Sequence, residues 1–130
     1  MALPSDTRRA RPRFLNLLRI RYPVGAVCSF AHRVSGVALA LALPALVWLL
    51  RLSLDGPSGY RAAAGLMQAL PAKALAAALF WALAHHVLAG VRHLLKDIDL
   101  GSSLGVARRS AWSVNLLGAL LALLAFGALW

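Results

Sequence analysis

The stretch His85-His86-Val87-Leu88-Ala89-Gly90-Val91-Arg92-His93-Leu94-Leu95-Lys96-Asp97 decides how this chain is read. It sets imidazoles, a guanidinium and a carboxylate into an apolar run, and hydrocarbon rejects such groups unless they find partners. At about 3.6 residues per turn, His86, Gly90, His93 and Asp97 stand at i, i+4, i+7 and i+11, along one stripe of a helix. Gly90, one turn beyond His86, leaves out the side chain that would keep a flat ligand off the backbone. Three histidines within nine residues, beside such a gap, point to a haem iron.

Outward from this stretch the chain is membrane-like on both sides. Residues 74–91 form an 18-residue run whose only polar members are His85 and His86, and Pro71 opens it as the first turn of a helix. Upstream, Pro23 opens a second apolar run over 24–50, broken by Ser29, His32, Arg33 and Ser35. Its length corresponds to roughly 40 Å of helix, enough for a tilted span, and Pro44 is expected to kink it. Downstream, 111–130 carries no charge and has Trp112 and Trp130 near its ends, as in an aromatic belt. The sequence therefore predicts three spans, at about 24–50, 71–97 and 111–130. Asp55-Gly56-Pro57-Ser58-Gly59 is a turn signal, residues 60–70 are expected to form a short interfacial helix, and Arg108-Arg109 mark a boundary before the third span.

Composition agrees. The 130 residues are 61% hydrophobic with a mean hydropathy of +0.73, too apolar for an ordinary soluble domain. Fourteen basic residues face four acidic ones, a net charge of +10 that sits in short clusters between the apolar runs. That placement fits anionic headgroups and topology and argues against nucleic acid. The single Cys28 excludes an internal disulfide and is expected to be packing. We read residues 1–22 as a basic cytoplasmic arm with one amphipathic turn near Phe14, expected to be mature as written rather than a cleavable presequence. Residues 23–130 are read as the membrane domain. The arm holds six arginines and the second loop four basic residues, against three in the first loop. The positive-inside bias then puts the N-terminus in the cytoplasm. It also puts the start of the first span and the end of the second at the same face.

A lone histidine on an apolar face is ordinarily a hydrogen-bonded core residue. That reading weakens for His86, which shares its stripe with Gly90 and His93; His85 points about 100° away and remains the rival ligand. His93 lies two turns along the same helix and cannot reach the far side of the iron, so a second imidazole would come from another chain. Arg33, His32, Arg92 and His93 are candidates for the haem propionates, with snorkelling of the arginines as the plain alternative. Ser29 and Arg33, at i and i+4, are candidates to hold a quinone carbonyl, while the plain alternative for Asp97 is a cap or an ion-pair partner. Small residues on all three spans would allow other helices to approach, so a partner subunit is expected.

Two segments carry a family resemblance. Ser29-Phe30-Ala31-His32-Arg33-Val34-Ser35-Gly36 resembles the S-x-x-H-R-x-S-G signature of the cytochrome b subunit of succinate dehydrogenase, the larger membrane anchor of respiratory complex II. His86-x-x-x-Gly90-x-Arg92-His93-x-x-x-Asp97 resembles its second signature, and Arg11-Pro12, Leu15-Asn16-Leu17 and Arg21-Tyr22-Pro23-Val24 its opening. His85 and Ile98-Asp99 depart from the pattern. The resemblance implies an all-α membrane protein whose three helices pack with a second small anchor in a heteromeric bundle. It implies attachment to an iron–sulfur and a flavoprotein subunit, in a bacterial inner membrane. His86 is implied as an axial ligand of haem b, His32 and His93 as neighbours of the propionates, Ser29 and Arg33 as ubiquinone-site residues, and Asp97 as an acid near that pocket. The chain would be part of an enzyme, with no dicarboxylate chemistry of its own. Two alternatives are a fumarate reductase anchor and a haem-free structural or proton-relay subunit.

Overall fold

The computed structural model describes residues 21–129. It contains four helices: α1 (Val24–Ser53), α2 (Gly56–Gln68), α3 (Leu70–Asp97) and α4 (Leu104–Ala128). The expected turn near Phe14 and the belt residue Trp130 lie outside the described residues. Helices α1, α3 and α4 are each long and apolar enough to cross a membrane.

Proline and glycine set the boundaries. Pro23, with extended ψ, precedes α1, and prolines occupy the first turns of α2 and α3, where no intrahelical N–H is required. Pro44 lies inside α1 without ending it. After α3 the chain reverses through two left-handed residues, Asp99 (φ 59°) and Gly101 (φ 76°). The Leu100 N–H donates to the Leu95 carbonyl at 2.8 Å and closes the helix end.

Two expected boundaries move. Helix α2 begins at Gly56 rather than at residue 60, because Pro57 is already preset for a first helical turn. Helix α4 begins at Leu104, so Arg108 and Arg109 ride on the helix instead of preceding it. Long cationic side chains near a helix start can reach back toward headgroups while their backbone stays helical.

Helix α3 packs against α1 on one side and α4 on the other, and α2 leans on α1 and α3. The core is made of small side chains: Cys28 from α1, Ala89 from α3, and Ala111 and Val114 from α4, with Val24 and Leu88 against them. Small residues let helix axes approach closely, which is how helices associate where lipid removes the usual hydrophobic drive. Gly118 on α4 faces His85, and a Cβ built there would stand 3.4 Å from His85 Cβ and Cδ2. Much of the outer surface is large and apolar, as at Leu41 and Leu123.

Gly118→Val should overpack this contact and destabilise the α3–α4 pair by roughly 1–3 kcal/mol, with Gly118→Ala costing less. Denaturation of the reconstituted protein, followed by circular dichroism, measures the shift; an unchanged midpoint for the valine variant would refute the close approach.

Candidate functional site

Helix α3 carries two polar seams, and consecutive histidines aim into different ones. His86 points at α1. Its Nδ1 lies 3.0 Å from the His32 carbonyl and 3.3 Å from Ser35 Oγ. Ser35 Oγ itself donates to that same carbonyl at 2.8 Å. A carbonyl oxygen only accepts and the serine proton is committed, so Nδ1 carries the proton of His86. The Nε2 lone pair is left available, and a backbone carbonyl at the other nitrogen is the usual way a metal-binding imidazole is oriented.

The His32 ring stacks on His86, with centroids 4.2 Å apart and planes 16° from parallel. His93 completes the group at 5.2 Å from His32, tilted by 43°. Gly36 makes the arrangement possible: a Cβ there would stand 2.8 Å from His86 Cε1. Gly90, reserved in the sequence reading for a flat ligand, instead faces His32, whose Nε2 would lie 3.4 Å from a Cβ at that position. Thus His32, His86 and His93 come together. Ser35, fully buried, and Gly36 are contributors that the sequence reading placed in the first signature but gave no role in the site. Their signal was present as the third and fourth residues after His32, on its own helix face.

The second seam faces α4. His85 is 1% exposed, and its Nε2 lies 3.0 Å from Asn115 Oδ1. Because Oδ1 accepts, Nε2 is the protonated nitrogen and is committed; Nδ1 is buried without a hydrogen-bond partner among the described residues. Trp81 lies against the ring at 5.4 Å. Arg92, two turns on, follows His85 and not His86. Its Nε donates to Ser110 Oγ and its Nη2 to the Ala107 carbonyl, both at 3.0 Å. Arg92 is therefore not brought into the His32–His86–His93 group. Asn115, an amide in the uncharged third span, was the sequence signal for this seam.

Ser29 is half-buried and Arg33 exposed on α1, and Asp97 is exposed at the last turn of α3. No hydrogen bond or ion pair joins these three among the described residues. They do lie at one end of the bundle: a Cβ on Gly25, near the start of α1, would stand 3.7 Å from Arg92 Nη2, near the end of α3. The expected meeting of the two segments is therefore present in the fold.

Comparison with known proteins agrees with this geometry. Residues 7–125 match the family model described as succinate dehydrogenase/fumarate reductase transmembrane subunit. Among curated relatives, the succinate dehydrogenase cytochrome b556 subunit of Paracoccus denitrificans is 29% identical over 82% of this chain and 83% of its own length. That of Coxiella burnetii is 32% identical over 80% and 84%. That of Rickettsia bellii is 30% identical over 88% and 89%. With nearly the whole chain matched and two buried polar seams on its second span, the protein belongs to the succinate dehydrogenase/fumarate reductase transmembrane subunit family.

Proposed function

We propose that this chain is the membrane-anchor cytochrome b subunit of a succinate:ubiquinone oxidoreductase, and that it shares one haem b with a second small anchor through His86. The carrying observation is the difference between the two adjacent imidazoles. His86 has Nδ1 tied to the His32 carbonyl and Nε2 free to ligate, whereas His85 has Nε2 tied to Asn115 and Nδ1 enclosed. A single axial nitrogen fits a haem held between two chains, and among the described residues no three His, Cys, Asp or Glu side chains converge as a cage for a bare metal ion. The haem, when bound, would supply a one-electron redox centre.

His32 borders His86, His93 borders His32, and both can donate to the propionates, with Arg33 toward the same end of the bundle. Arg92, also expected near the propionates, bonds Ser110 and Ala107 on α4 and does not touch this group. Ser29 and Arg33 would donate to a quinone carbonyl oxygen, drawing electron density toward it. Quinone reduction consumes two electrons, delivered from the iron–sulfur subunit, and two protons. Asp97, exposed beside this end, is the carboxylate suited to pass protons in. The positive-inside count supports a cytoplasmic N-terminus in a bacterial inner membrane, and the succinate dehydrogenase names of the relatives favour that activity over fumarate reduction. Dicarboxylate oxidation would belong to the flavoprotein partner.

His86→Ala should remove the b-type absorption spectrum of the isolated complex, and His85→Ala should retain it. A spectrum that survives in the first and vanishes in the second would reverse the assignment. Gly36→Ala should push the His86 ring aside and lower haem content per complex, read from the same spectrum against protein mass. Arg33→Leu should cut quinone reduction at least tenfold, an order-of-magnitude expectation for a lost charged hydrogen bond, while succinate oxidation by an artificial acceptor persists. Equal loss with both acceptors would take Arg33 out of the quinone site.

A further inference from the structure

A cleft of about 760 Å³ opens between α1, α3 and α4 at the end of the bundle that holds Arg92. Arg92, Lys96 and Arg108 line it, and Val24, Leu104 and Trp112 supply apolar wall. None of the three cations forms an ion pair with a described residue. Arg92 is only 7% exposed, and two of its five N–H groups are used, on Ser110 and Ala107. Arg92 itself lines the cleft. A nearly buried guanidinium with spare donors, beside two further cations and with no carboxylate among the lining residues, suits an anionic ligand.

We propose that this cleft binds the phosphate of an anionic glycerophospholipid. Three features select a lipid over a soluble anion or an acidic protein surface. Arg92 can present a fork to phosphate oxygens, with Lys96 and Arg108 adding charge around it. Leu104 and Trp112, 87% and 52% exposed, form an apolar border on the same cleft, so the ligand that matches it carries an anionic head and a hydrocarbon tail. The position at the starts of two apolar spans and the end of a third is headgroup depth. This inference does not depend on the haem or the quinone.

The test uses the intact membrane complex, exchanged into nanodiscs of phosphatidylglycerol or phosphatidylcholine with matched acyl chains, then analysed for retained lipid by native mass spectrometry. The wild type should retain phosphatidylglycerol preferentially. Lys96→Gln combined with Arg108→Gln should reduce that preference by roughly thirtyfold. Lys96→Arg with Arg108→Lys should preserve it, which separates a lost charge from a disturbed fold. Equal preference in the wild type and the glutamine variant would overturn the proposal. So would displacement by millimolar inorganic phosphate, which would assign the site to a soluble anion, or retention only after the soluble subunits are stripped away, which would assign it to a protein contact.

Discussion

Two neighbouring imidazoles on one membrane helix impose the arrangement of the bundle. Successive residues of a helix point about 100° apart, so His85 and His86 cannot be satisfied by one neighbour. Within hydrocarbon neither can turn to water. Helix α3 therefore lies between two others: α1 offers the His32 carbonyl to His86, and α4 offers the Asn115 amide to His85. Had either helix been absent, a buried polar ring would face lipid, at a cost of several kcal/mol in the usual range for such groups.

These contacts require short distances between backbones. A histidine reaches a main-chain carbonyl on another helix only where the facing residues are small, and here they are Gly36 and Gly118 at the rings and Cys28, Ala89 and Ala111 in the core. Packing and polar pairing thus depend on one another. The small residues gain dispersion contacts by close approach, and close approach brings donors and acceptors within hydrogen-bond length. Serine contributes in the same way: Ser35 and Ser110 are compact hydroxyls that satisfy both a local carbonyl and a partner across the interface.

The seams divide the chain by chemistry. Toward α1 lie three imidazoles, His32 stacked on His86 and tilted against His93, an arrangement suited to a redox cofactor and its carboxylates. Toward α4 lies a histidine locked to an amide and, two turns on, an arginine bonded to a serine and a carbonyl. The second seam holds α3 in the rotation that presents His86 to the first. Large exposed residues along α1, such as Val37 and Leu41, leave a broad apolar face that suits a second anchor or lipid.

Three apolar runs, their approximate limits and the meeting of two remote polar segments at one end were all legible in the sequence, because hydropathy and helical period are local properties. Family membership was legible as well, since it rests on the spacing of Ser29, His32, Arg33, Gly36, His86, Gly90 and His93 along the chain. The start of α4 was not, because a pair of arginines reads as a boundary although helical backbone tolerates them. Nor could the sequence say which imidazole turned toward which helix, or that Gly36 and not Gly90 makes room for the His86 ring. Those choices depend on the rotation of α3 against two neighbours. That rotation is set by pairing between groups as many as 54 residues apart, which no local pattern encodes.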